Sequence, residues 1–278
     1  MPTYVHLVRH AQGYHNLTGD HSLPDPDLTP LGREQCVELA AAFPLHDRVT
    51  HLVASPLRRT LLTALLSFAP ALARVEGGRV VAQPDLQEIA SLPCDTGSAP
   101  AVLEREFGDG GGEGKGEGKV DLGLVREGWN DKVSADSPYE PEMHKLEARA
   151  RRARRWLREL GRQWQRENPG RGDAHVVAVT HGGFLHFLTQ DWDGMNPEAG
   201  TGWRNTEWRT YEFVDEEEGD DGDARLRETA GSWRKRRGSE AGLTETEQRE
   251  LRSVVERTLE EEKEKRRKEL AGAKKDSE

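Results

Sequence analysis

The stretch His175-Val176-Val177-Ala178-Val179-Thr180-His181-Gly182-Gly183 constrains this chain more than any other. Its apolar run is short and almost uninterrupted, the pattern of a strand buried on both faces, and such strands belong to sheets covered by helices on both sides. Two glycines then open a helical pattern over 182–188, so strand passes into helix with no room for a loop. Residues 4–8, 51–54 and 79–82 read as three further strands parallel to 175–179, and 209–214 as a fifth strand. Thr29 and Pro30 open a helix to about residue 43, with the threonine as cap and the proline in the first turn. Pro56 opens another through 68. A long arginine-rich helix is expected over 142–167, with Leu146, Ala150, Ala153, Trp156, Leu157 and Leu160 facing inward. Strand and helix in repetition predict an α/β fold: a doubly wound, mostly parallel sheet with helices on both faces and its functional residues at the carboxyl ends of the strands.

The whole chain is leaner and more charged than such a fold requires, with 34% apolar and 32% charged residues in 278. The excess lies beyond Val214: residues 215–278 hold 20 acidic and 16 basic side chains, whereas the first 214 are an ordinary 25% charged. Two regions are therefore expected, a folded domain over 1–214 and a charged tail over 215–278, helical in part or disordered. Leu251, Val254, Val255 and Leu259 give the tail an apolar stripe at helical spacing. Its cluster Arg234 to Arg237 reads as a solvated charge run, or alternatively as a nuclear-localisation signal. Residues 108–119 carry glycine at nearly every second position, a flexible insertion rather than a phosphate-cradling loop, since no strand leads in and no helix opening on Lys-Ser or Lys-Thr follows.

A net charge of -10 disfavours a general nucleic-acid surface while leaving room for a local basic pocket. No apolar run reaches the length of a membrane span, and the first ten residues meet charge too early for a signal peptide. Two cysteines, Cys36 and Cys94, supply neither a disulfide framework nor a four-cysteine zinc site. A reduced, cytoplasmic setting is expected.

Several polar residues fall at the expected strand ends. Arg9 and His10 close the first strand, Ser55 to Arg59 follow the second, Glu88 follows the third and His181 closes the fourth. Arginine offers a fixed fork of donors suited to phosphate or carboxylate oxygens. Two arginines in the first turn of a helix, Arg58 and Arg59, stand at the wrong end for cations unless they reach an anion held there. The histidine spacings offer no metal site: His181 and His186 are five apart without the glutamate of a zinc-protease helix, and His6, His10 and His15 lack helical spacing.

Leu7-Val8-Arg9-His10-Ala11 with Asn16 downstream, the Ser-Pro-Leu-x-Arg-x-x-x-Thr-Ala pattern from Ser55 to Ala64, Glu88, and Val179-Thr180-His181-Gly182-Gly183 together resemble the phosphoglycerate-mutase-like branch of the histidine phosphatase superfamily. The run from Arg9 to Asn16, with Leu92 to Ser98 after the glutamate, is similar to the fungal phosphomutase-like proteins. The resemblance covers residues 3–214. It implies His10 as a nucleophile that forms a phosphohistidine, with its other ring nitrogen bonded to a backbone carbonyl. It implies that Arg9, Arg59 and His181 hold the phosphoryl oxygens, with Asn16 as a neutral donor and Gly182 allowing close backbone approach. Glu88 is implied as the proton donor, and Arg58 as a flanking or entrance charge. No metal and no cofactor are implied, and the expected partner is a small phosphate ester, with no nucleic acid and no membrane.

The common Arg-His-Gly of the family is here Arg9-His10-Ala11, one methyl larger without loss of a donor. Cys94 is expected to be a buried or pocket-lining thiol, because the acidic Asp95 beside it raises a thiol pKa. Residues 92–98, Trp129, Asn130 and Lys132 are expected to shape the substrate side. Phosphoglycerate mutases carry Glu-Arg-x-Tyr-Gly-Gly at the glutamate, whereas this chain has Glu88-Ile89-Ala90-Ser91-Leu92-Pro93. A phosphatase is therefore favoured over a phosphomutase of the same family, or over a non-catalytic module that binds phosphorylated ligands.

Overall fold

The computed structural model of the chain describes residues 1–109, 118–196, 200–214 and 222–275. Most of the glycine-rich insertion, 110–117, and the acidic run 215–218 lie outside the described residues.

The chain opens with β1 (Thr3–Arg9), the short α1 (Tyr14–Thr18) and α2 (Pro30–Ala42), then β2 (His51–Ala54), α3 (Arg58–Ser67), α4 (Ala69–Leu72) and β3 (Val80–Ala82). It continues through α5 (Pro100–Phe107), β4 (Val120–Asp121), the long α6 (Met143–Glu167), β5 (Ala174–Thr180) and α7 (Gly182–Thr189). Then come β6 (Trp208–Phe213), β7 (Leu226–Glu228), α8 (Ala230–Arg237) and α9 (Glu245–Lys275). Among the described residues the strands form one sheet in the order β4-β3-β2-β5-β1-β6-β7. The four pairings from β4 to β1 are parallel and the two that add β6 and β7 are antiparallel.

β5 lies at the centre and every residue in it is buried. Alternation of side chains across the sheet divides its apolar residues between two cores. Val177 and Val179 pack with α2 and α3 residues such as Leu39 and Leu61, whereas Val176 and Ala178 pack with Leu146, Leu157 and Leu185 of α6 and α7. Thr29 caps α2 as expected, accepting from the Gly32 N–H at 2.9 Å. The helix expected from Pro56 begins two residues later, because Leu57 is still extended and serves as the cap of α3.

The boundary expected at Val214 falls inside the sheet, since β7 and Leu226 extend it beyond that point. The later segment also packs: Val255 and Leu259 of α9 are buried against the α6–α7 face and Leu251 is partly buried there, whereas Val254 is exposed. None of the described helices is long and apolar enough to cross a membrane.

Candidate active site

Strand register brings the expected residues together. Arg9 pairs with Thr180 and Ala54 with both Val179 and Ala82, so β1, β2, β3 and β5 end at one level. The backbone N–H of His10 continues the ladder onto Thr180 O at 2.9 Å, and that of Ser55 onto Val179 O at 3.0 Å. His10, Ser55 and His181 therefore leave the sheet side by side, with the His10 and His181 ring centroids 5.1 Å apart.

His10 is buried and its tautomer is set by its neighbours. Nδ1 lies 2.7 Å from Ala11 O, an acceptor only, so Nδ1 carries the hydrogen and Nε2 a lone pair. That lone pair accepts from Nε of Arg59 at 3.2 Å. Burial first, then the charges of Arg59 and Arg9, hold the pKa of His10 well below the ordinary histidine range. The ring is thus neutral at physiological pH. Ala11 is accommodated: it is fully buried, and its N–H donates to Thr63 Oγ1 at 3.0 Å.

Arg59 organises the floor. Besides His10, its Nη1 donates to Cys94 O at 2.6 Å and its Nη2 reaches Asp95 Oδ1 at 2.9 Å and His181 Nδ1 at 3.0 Å. His181 therefore accepts at Nδ1 and its Nε2–H donates to Ser55 Oγ, 2.9 Å away. Burial and the adjacent Arg59 keep this ring neutral as well. Arg9 bonds Trp203 O through Nη1, while its buried Nε has no hydrogen-bond partner among the described residues. A donor left in that state is costly unless an acceptor arrives.

Glu88 hangs on the N-terminus of α7. Its Oε1 accepts from Phe184 N–H at 2.9 Å and Ile89 N–H at 2.8 Å, and its Oε2 from Gly183 N–H at 3.2 Å. Burial and the nearby Asp95 carboxylate raise the Glu88 pKa above the ordinary glutamate value, and the N–H bonds oppose them. The close approach needs glycine at 183, where a Cβ would sit 2.7 Å from Glu88 Oε1. Gly182 likewise admits Thr201, whose Oγ1 would lie 2.4 Å from an added Cβ.

The loop after Glu88 is drawn in by two buried cations. Lys132 Nζ donates to the carbonyls of Glu88, Ala90 and Asp95 at 2.7, 2.9 and 2.6 Å. Burial first and Arg149 second lower its pKa to about 7. Arg149 donates to Glu88 O at 3.3 Å and lies 4.4 Å above the ring of Phe184. Trp129 packs on Gly97, and Asn130 bonds Gly97 O at 2.7 Å. Cys94 is buried, and desolvation with Asp95 beside it pushes the thiol pKa up to about 12, which removes any nucleophilic thiolate.

One expectation changes, at Arg58. Asn16 is exposed and its Oδ1 caps its own helix by accepting from Gly13 N–H at 3.1 Å, a bond that engages the acceptor of the amide and not its donor. Arg58 is tied to Glu106 at 2.6 Å and to Asp25 at 3.5 Å, which makes it a brace between segments rather than an entrance charge. Sequence reasoning passed over Asp95 as a partner of Arg59, and over His15, buried with its ring centroid 5.8 Å from His10. It also missed Asn205, whose amide donates to His10 O at 2.9 Å. For Asp95 the signal available was an acid in the loop that follows Glu88.

The family model described as histidine phosphatase superfamily (branch 1) matches this chain over residues 5–109 and 98–220, more than half its length. The chain belongs to the histidine phosphatase superfamily. That membership supports phosphatase or mutase activity in general. Among curated relatives, a phosphoglycerate mutase-like protein of Arabidopsis thaliana is 28% identical over 251 residues, spanning 76% of this chain and 84% of the relative. A second one, phosphoglycerate mutase-like protein 2 of the same plant, is 43% identical over 75 residues, which is 23% of this chain and 22% of that protein. A solved structure described as mycobacterial hydrolase 2 shares the fold, with a TM-score of 0.50 at 20% identity over 91% of this chain and 98% of that one.

Proposed function

We propose that this histidine phosphatase hydrolyses a small phosphate monoester without a metal, through a phosphohistidine on His10. The observation that carries the reading is the neutral, buried His10, whose Nε2 lone pair is aimed among Arg59, Arg9 and His181 while Ala11 O holds the hydrogen on Nδ1. The Nε2 lone pair attacks phosphorus and the bond to the ester oxygen breaks, which divides one displacement into two easier ones. Arg9 and Arg59 bring positive charge to the equatorial oxygens, where a loose phosphoryl transition state carries its negative charge. His181 adds a donor by turning its Nε2–H from Ser55 Oγ to a phosphoryl oxygen.

Glu88 supplies the proton. Its raised pKa keeps a fraction of the carboxyl protonated, and that proton passes to the leaving oxygen. The resulting carboxylate then accepts a proton from water as the water attacks the phosphohistidine. The N–P bond breaks, releasing inorganic phosphate and regenerating neutral His10 and protonated Glu88. Water is favoured as acceptor over a second hydroxyl because the segment after Glu88 lacks the arginine and glycines that phosphoglycerate mutases carry there.

The test is turnover of an aryl phosphate in excess chelator, with acid-quenched enzyme assayed for acid-labile, base-stable phosphate. Chelator-resistant turnover and a phosphoenzyme, both absent in His10→Ala, are expected. Turnover that persists in His10→Ala overturns the mechanism. Binding of phosphate esters with no turnover would assign the non-catalytic reading instead.

A further inference from the structure

Glu88 is held at both ends. Its carboxylate accepts from the N–H groups of Ile89, Gly183 and Phe184, while its backbone carbonyl accepts from Lys132 Nζ at 2.7 Å and from both Nη atoms of Arg149 at 3.3 Å. Lys132 also donates to Ala90 O at 2.9 Å and Asp95 O at 2.6 Å, so the three hydrogens of one ammonium are spread over three carbonyls of the loop that follows the glutamate. The side chain of Asp95 in turn meets Nη2 of Arg59 at 2.9 Å. One buried cation therefore joins the peptide of the acid to the peptide that carries the counter-ion of Arg59.

Lys132 is itself fixed. Trp129 O accepts from Gln87 Nε2 at 2.8 Å, Asn130 Nδ2 donates to Gly97 O at 2.7 Å, and Asp131 Oδ1 accepts from the N–H groups of Val133 and Ser134, each at 3.0 Å. Residues 129–134 are thus braced along the loop 87–97 on either side of the lysine. The arrangement is costly. Every hydrogen bond that Lys132 and Arg149 make among the described residues goes to a backbone carbonyl, and the buried Nε of Arg149 has no partner there. Two buried cations without a paired carboxylate carry a desolvation penalty that apolar side chains of the same volume do not. Stability alone gives little reason for a cation at 132, but no apolar side chain there can hold three carbonyls at one point.

We infer that Lys132 is a positioning residue for the reaction: its ammonium fixes the backbone of Glu88 relative to Asp95, and through Asp95 relative to Arg59, so that the proton donor stands where the ester oxygen leaves. The inference rests on the phosphatase reading above, in which Glu88 is that donor. Lys132 touches no reacting atom and acts through Glu88. With its three hydrogens removed, the carbonyls of Glu88, Ala90 and Asp95 face one another without a donor, and the loop relaxes to reach water. The carboxyl of Glu88 then keeps its N–H bonds to α7 but loses its alignment, and misplacement by a fraction of an ångström is enough to slow proton transfer by about tenfold or more.

The test is a double-mutant cycle in the full chain, pairing Lys132→Met with Glu88→Gln and reading kcat on an alkyl and an aryl phosphate. Lys132→Met keeps an apolar stem and removes all three donors. It is expected to lower kcat on the alkyl ester by about tenfold or more and on the aryl ester by less than about threefold, because a good leaving group needs little help from an acid. In the Glu88→Gln background the same substitution is expected to cost the alkyl ester less than about threefold, since two residues that act through one proton do not add. Equal losses on the two esters, losses that multiply in the double variant, or wild-type kinetics in a folded Lys132→Met overturn the inference. If Lys132→Met melts below the assay temperature, Lys132→Gln, which keeps two hydrogens, takes its place in the cycle and is read in the same way. Glu88→Gln that loses nothing on the alkyl ester overturns the underlying assignment of the acid instead, so the two failures are distinct.

Discussion

Nε of Arg59 donates to Nε2 of His10 across 3.2 Å, and Nη2 of the same guanidinium meets Nδ1 of His181 at 3.0 Å. One cation therefore faces the lone pairs of two neutral histidines, and both stay neutral because burial and this charge oppose a second one. Asp95 balances the arginine at 2.9 Å. In the proposed mechanism a phosphoryl group entering here would exchange the contacts of Arg59 with the histidines for contacts to its own oxygens.

Arg59→Lys is expected to lower kcat/KM on an aryl phosphate by roughly 10²-fold, although charge is conserved. A lysine cannot reach His10, Cys94 O, Asp95 and His181 from one planar fork. Steady-state kinetics beside a thermal melt check this, and a loss under threefold in a folded variant would remove Arg59 from the site.

Glu88→Gln keeps acceptor capacity at the α7 N-terminus but has no proton to give. Alkyl phosphates, with poor leaving groups, are expected to lose roughly 10²- to 10⁴-fold in kcat and aryl phosphates far less. Burial and Asp95 raise the Glu88 pKa, so the alkaline limb of kcat for alkyl esters lies above the ordinary glutamate range and disappears in the variant. Equal losses on both ester types would contradict the assignment.

Gly183→Ala offers an independent route to the same carboxylate. The new Cβ stands 2.7 Å from Oε1 of Glu88 and 2.9 Å from Cδ1 of Ile89, so the glutamate is displaced without being removed. Expected is a loss on alkyl phosphates of at least tenfold with aryl turnover reduced less. Kinetics that match the wild type on both esters would show that the N–H cradle is not what positions Glu88.

Much of this site was legible in the sequence because its residues end apolar runs. Arg9, His10, Ser55 and His181 directly follow strands whose pattern and register put them at one edge. What stayed hidden comes from loops and from burial that local pattern does not encode. Lys132 meets Asp95 O across 37 positions of sequence, a contact no periodicity announces. Arg149 lies buried in a helix so rich in arginine that each one reads as solvated. Strands of two and three residues, β4 and β7, are too short to show alternation, and β7 carries the sheet past the composition break at Val214. Asn16 spends its Oδ1 on the Gly13 N–H three residues away, a local cap that the motif does not announce.

The buried histidines also set the acid limit of the fold. His6 bonds Thr210 Oγ1 and His175 Nδ1, each at 3.0 Å, beneath the sheet, and burial with His175 lowers its pKa to about 3. His15 falls to about 3 chiefly through burial, with Arg59 the next cause. In the unfolded chain both protonate near 6.5, so the stability they contribute is present above that value and is lost as the pH falls toward 3. Each adds up to one proton to the difference between states, a slope of about 1.4 kcal/mol per pH unit between pH 6 and 4. Urea unfolding across that interval is expected to show stability falling with acidity, and His6→Gln to be flatter by about one proton. An unchanged slope in that variant would mean that His6 takes up its proton without unfolding.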